Sequence, residues 1–91
     1  MRVVYKYVFE ESTLCVNLPE GSQVLTVASQ DDQVTMWIEQ EVGAGAELGV
    51  RRFRLVMTGE EFAPEGYENW TYVGTVFVGV IVAHVYEITR N

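Results

Sequence analysis

Apolar and polar residues alternate with period two along most of this chain, and no stretch shows the 3.6-residue period of an amphipathic helix. In the first extended segment Val3, Tyr5, Tyr7 and Phe9 share one face, and Val4, Lys6 and Val8 the other. That mix of aromatic and β-branched side chains suits a strand. Glu10-Glu11-Ser12 breaks it, and residues 13–18 form a second short strand. Pro19-Glu20-Gly21-Ser22 is turn chemistry, with Pro presetting φ and Gly accepting a positive value. Residues 24–29 read as a third strand and Gln30-Asp31-Asp32-Gln33 as a tight polar connection. A fourth strand, 34–42, places Val34, Met36 and Ile38 on one face and Thr35, Trp37, Glu39 and Glu41 on the other.

The glycine-rich run 43–49 reads as a hairpin loop to a fifth strand, 51–58, with Phe53, Leu55 and Met57 inward and Arg52 and Arg54 outward. Residues 59–69, with Pro64 and Gly66, form the longest irregular stretch, and a short helical turn fits only around residues 60–62. A final hairpin joins 70–77 to 80–88, turning near Val78-Gly79. Six or seven short strands with turns between them predict an all-β antiparallel sandwich or small barrel, built as one domain over residues 1–91.

Composition narrows the functional classes. Hydrophobic residues make up 48% of the 91, more than so small a domain hides, which favours a subunit or partner interface and a homo-oligomer. The net charge of −7 argues against direct binding of nucleic acid, whose affinity comes from clustered Lys and Arg. Cys15 is the only cysteine, so neither an intramolecular disulfide nor a thiolate metal cluster is expected, and its β-branched surroundings read as core. The most apolar stretch, 72–88, is broken by Gly74, Gly79, His84 and Glu87 and does not suit a membrane helix. These features, with no secretory leader pattern, point to a cytoplasmic protein without cofactor, metal or membrane partner.

Tyr5-Lys6-Tyr7, the segment Leu18-Pro19-Glu20-Gly21, the block Arg51-Arg52-Phe53-Arg54-Leu55-Val56-Met57-Thr58-Gly59, and Tyr72-Val73-Gly74-Thr75 followed by Ala83-His84-Val85-Tyr86-Glu87 carry a likeness along nearly the whole chain. In this ordered series the chain resembles a family of short phage and prophage proteins known only as a domain of unknown function. The resemblance implies a phage-encoded protein working in a bacterial cytoplasm and supplies no catalytic residues.

The residues themselves offer a few candidates. Arg52 and Arg54 lie about 7 Å apart on one strand face and can grip a phosphate or carboxylate, unless a hairpin between strands four and five sets Glu39 and Glu41 against them as ion pairs. Trp37, Trp70 and Tyr72 can stack a base beside those guanidiniums, or serve plain packing. His84, the only histidine, has no second histidine to share a metal and fits a half-buried residue hydrogen-bonded to backbone or Tyr. The dispersed acid pairs Glu10-Glu11, Asp31-Asp32 and Glu60-Glu61 read as solvated surface.

No self-sufficient catalytic set emerges, so the expectation is a binding protein and not an enzyme. The phage resemblance directs that expectation to an anti-defence factor that sequesters a signalling nucleotide or similar anionic small molecule. The ligand-binding candidates are Arg52, Arg54, Trp37, Trp70, Tyr72 and His84. The alternatives are an acidic inhibitor of a host defence protein, in the manner of a DNA mimic, and a structural or assembly accessory.

Overall fold

The computed structural model describes residues 1–43 and 45–90. Seven strands follow in order: β1 (Arg2–Val8), β2 (Thr13–Pro19), β3 (Gln23–Gln30), β4 (Gln33–Glu41), β5 (Leu48–Met57), β6 (Glu68–Val78) and β7 (Ile81–Arg90). They form a three-stranded sheet, β1-β4-β3, and a four-stranded sheet, β2-β5-β7-β6, antiparallel at every pairing. The expected all-β sandwich is therefore present. Among the described residues no helix is long and apolar enough to cross a membrane.

Period two accounts for the core. Val34, Met36 and Ile38 of β4 meet Phe53 and Leu55 of β5, Ala83 and Val85 of β7, Val76 of β6 and Leu18 of β2, all buried. Phe9, just past β1, caps this cluster, its backbone N–H bonded to the carbonyl of Val34. Two hairpins close by different turn chemistry. Asp31 and Asp32 both take positive φ (52° and 60°), the pattern of a type I′ turn made without glycine. Gly79 takes φ 58° ahead of Val80, the type II′ pattern.

Three expectations need correction. The run 43–49, of which Ala44 lies outside the described residues, is not a hairpin loop. It carries the chain from one layer to the other, because β4 lies between β1 and β3 while β5 lies between β2 and β7. Glu39 and Glu41 consequently pair with Arg2, at 2.7 and 3.4 Å, and not with Arg52 and Arg54. The helical turn at 60–62 does not form. The Glu60 N–H bonds back to the Met57 carbonyl at 3.0 Å with Gly59 at φ 90°, a type II reversal in which glycine supplies the positive φ. Cys15 is exposed, not core. On the edge strand β2 the even positions Leu14, Val16 and Leu18 face the core and the odd ones face out.

The layers approach most closely where β3 lies against β6. A β-carbon on Gly74 would stand 2.6 Å from Cγ2 of Val27, far inside van der Waals contact. Gly74 is required for space rather than for backbone freedom, since its φ is not positive. It sits at a register shift in β6, between Tyr72 and Gly74. On the far side β1 overhangs: Tyr5 faces inward with the core residues yet is 47% exposed.

Gly74→Ala should destabilise the fold by about 1–3 kcal/mol through overpacking. Val27→Ala should recover part of that loss when combined with it. Urea unfolding of the two single variants and the double variant reads this coupling. Additive losses would show that Val27 is not the residue in the way.

Candidate functional site

The face of the four-stranded sheet turned away from the core is ordered in cross-strand rows. One row runs Thr13, Arg54, Tyr86, Tyr72, the next Cys15, Arg52, Ile88, Trp70, and a third Val56, His84, Thr75. Five of the six expected binding residues, Arg52, Arg54, Trp70, Tyr72 and His84, thus share one surface. Trp37 does not. It lies on the outer face of the three-stranded sheet, opposite Lys6 and Thr26, on the other side of the sandwich.

A strap, residues 58–67, folds back over this face. Phe62 stacks on Trp70 with ring centroids 5.1 Å apart and leans on Tyr86 at 5.6 Å. Tyr86 also meets Trp70 and Tyr72, so the four rings form one cluster. Beside them Val56 and Ile88 are buried although no third sheet covers this side. The strap thereby creates a second, small apolar cluster outside the main core.

Charged groups frame the rings. Arg54 stands 5.7 Å from the Trp70 ring centre and donates to Glu60 of the strap at 2.6 Å. Arg52 approaches Glu68 more loosely, at 3.7 Å. Arg90 lies against Tyr67 at 5.6 Å, and a hollow of about 360 Å³ is lined by Arg52, Ile88 and Arg90 among others. Glu68 is the hinge of the arrangement. It accepts the Glu65 backbone N–H at 3.0 Å and the Trp70 indole N–H at 3.2 Å. Those two hydrogen bonds, with the nearby Arg52 and Arg90 guanidiniums, hold its carboxyl below the usual carboxylate range.

His84 is tied on both ring nitrogens by threonine hydroxyls, Nε2 with Thr58 at 2.8 Å and Nδ1 with Thr75 at 3.0 Å. Thr75 in turn bonds the Tyr72 hydroxyl. The histidine's partners are therefore threonines and not the backbone or a tyrosine directly. A neutral imidazole here donates to one hydroxyl and accepts from the other, which fixes the ring as a brace between strap and sheet. Among the described residues no group of three His, Cys, Asp or Glu side chains is placed to hold a metal ion.

Sequence reasoning passed over Tyr86, Phe62, Glu60, Glu68 and Arg90. Tyr86 was within reach of it, since it shares the period-two face of His84 and Ile88. Phe62 and Glu60 sit in an irregular segment whose path no periodicity reveals.

With its pKa depressed in the folded protein, Glu68 stabilises the strap above the ordinary carboxylate value of about 4.3, and this is lost as pH falls through its own lower value. In a Trp37→Phe background Trp70 is the sole tryptophan, and its emission should change in that acid window. Glu68→Gln should remove the step. A step that survives the substitution would assign the transition to another carboxylate.

Comparison with curated proteins and with solved structures finds no match. One family model, described as a domain of unknown function (DUF7352), matches residues 1–91. Over its whole length, then, the chain belongs to the DUF7352 family.

Proposed function

We propose that this chain is a non-catalytic binding module that holds a planar aromatic anion of the nucleotide class on the outer face of its four-stranded sheet. The observation that carries this reading is what the strap puts there. Phe62 lays a flat ring on Trp70, and Glu60 gives a carboxylate to Arg54. A base and a phosphate would present the same two chemistries to the same two residues.

The strap is held weakly enough to yield. Its ion pair with Arg54 is partly solvated, and such pairs contribute only about 0–1 kcal/mol. Phe62 remains 39% exposed in the stacked position. A ligand that stacks on Trp70 and Tyr86 would displace Phe62. Its phosphate would then exchange for Glu60 on Arg54 or enter the hollow beside Arg52 and Arg90. Trp37, on the opposite side of the molecule, takes no part. The likeness to phage proteins extends the reading to a phage-encoded factor in a bacterial cytoplasm that sequesters a signalling nucleotide of a host defence system.

Titrating the Trp37→Phe protein with mono- and cyclic dinucleotides should give saturable quenching of Trp70. Arg52→Ala combined with Arg54→Ala should weaken it at least about tenfold while the far-ultraviolet circular dichroism is unchanged. Phe62→Ala should tighten binding several-fold, because the ligand no longer competes with a residue already in place. Quenching that ignores the arginines, or no quenching by any nucleotide, would reject the reading.

A further inference from the structure

A different surface lies at the end of the sandwich where the β1–β2 link, the β3–β4 turn and the β6–β7 turn meet. There an open trough of about 380 Å³ is lined by apolar Phe9, Val34, Leu55, Met57, Val78 and Ile81. Glu10, Glu11 and Asp32 line it as well, and no Lys or Arg is among the residues around it. The hairpin beside it leaves apolar side chains in water. Val80 at the turn is 100% exposed, and Ile81, which lines the trough, 51%.

A β-turn that serves only to reverse the chain is ordinarily polar, with Gly, Asn, Asp or Ser at its tip. Here Gly79 supplies the positive φ, but Val80 beside it and Ile81 just after it are apolar and stand next to a groove with an apolar floor. Exposed apolar surface of this kind, concave and rimmed by charge, marks a docking site. The charge selects the partner. Three carboxylates with no facing cation oppose an anionic lipid surface and oppose a second copy docked through the same end. The chain's own cations lie elsewhere: Arg2, Arg51, Arg52 and Arg54 are each paired with a carboxylate, Lys6 donates to Gln30, and Arg90, at the far end of β7 from Ile81, lies against Tyr67.

We propose that this trough is a docking site for a basic segment of another protein, one that sets apolar anchors on Phe9, Leu55 and Ile81 and its Lys or Arg side chains against Glu10, Glu11 and Asp32. The site is separate from the strap-covered face, and either can be occupied without the other.

The test uses a synthetic peptide alternating arginine with leucine and phenylalanine, and a counterpart with glutamate for arginine, each followed by backbone amide NMR. The basic peptide should shift the amides of Phe9–Ser12, Asp32–Val34 and Val78–Ala83, and the acidic one should not. Combining Glu10→Gln, Glu11→Gln and Asp32→Asn should weaken binding about tenfold or more, and Asn keeps the positive φ that position 32 requires. Neutralising Glu20, Glu47 and Glu61, exposed elsewhere on the molecule, removes as many charges and should leave binding within about twofold. Val80→Ser with Ile81→Thr should weaken binding without unfolding the chain, since both side chains are at least half exposed.

Equal loss from the two neutralised sets would reduce the effect to bulk charge and overturn the proposal. So would no binding of the basic peptide, or shifts confined to other residues. Anionic vesicles that shift the same amides, or self-association abolished by Val80→Ser, would assign the surface to a membrane or a second copy and overturn it equally.

Discussion

The contact of β3 with β6 at Gly74 and Val27 is the constraint on which the arrangement of the two sheets depends. It brings one side of the sandwich together more tightly than any side chain at position 74 would permit. With three strands facing four, drawing that side in leaves the other side unequal. β1 then stands clear of the opposite layer, and Tyr5, though turned inward, stays half in water. The core gathers Met36 and Ile38 of β4 with Phe53 of β5 and Val85 of β7, all fully buried. At one end Arg51 ties β5 to β7 and to the β2–β3 turn, its guanidinium gripping Glu87 through two bonds of 2.6 and 2.7 Å while bonding the carbonyl of Ser22. At the other end, among the described residues, no such clamp is present beside the trough.

Two surfaces with different physics follow from one topology. Inserting β7 between β5 and β6 sets an arginine strand and an aromatic strand on either side of it, so that Arg54, Tyr86 and Tyr72 fall in a single row. Because β6 reaches its place by a ten-residue excursion, 58–67, the sheet receives a cover made from its own connection. The strap is fastened by few, partly solvated bonds, chiefly those of Glu60, Glu68 and the His84 brace. The covered face thus rests on a ring stack and a few polar contacts, whereas the main core is closed by buried apolar packing.

Much of the fold was legible because alternation is a local property. Met36 and Ile38 against Trp37 and Glu39, or Phe53 and Leu55 against Arg52 and Arg54, declare their faces without knowledge of any partner. What alternation cannot declare is which strand lies beside which. The glycines of 43–49 suit a hairpin as well as a crossing between layers, and the assumption of a hairpin led Glu39 and Glu41 to the wrong arginines. Cys15 went wrong for a related reason: on an edge strand one face reaches solvent even in an apolar run. For the candidate site, the sheet residues Arg52, Arg54, Trp70, Tyr72 and His84 were recoverable, and the strap residues that complete it were not, because irregular backbone leaves no period to read.

The overhanging β1 has a colloidal consequence. It is one of four edge strands, with β3, β2 and β6, whose outer backbone N–H and C=O groups have no strand beside them, and such edges invite pairing with neighbouring chains. Only Arg2 and Lys6 put charge along the β1 edge, and both are occupied by intramolecular partners. At neutral pH the net charge of −7 keeps molecules apart. Near the isoelectric point, at about 4.5, that repulsion vanishes while the edges stay open. In mild acid, therefore, the open edges of the sheets, and not the packed core, are where one molecule meets the next.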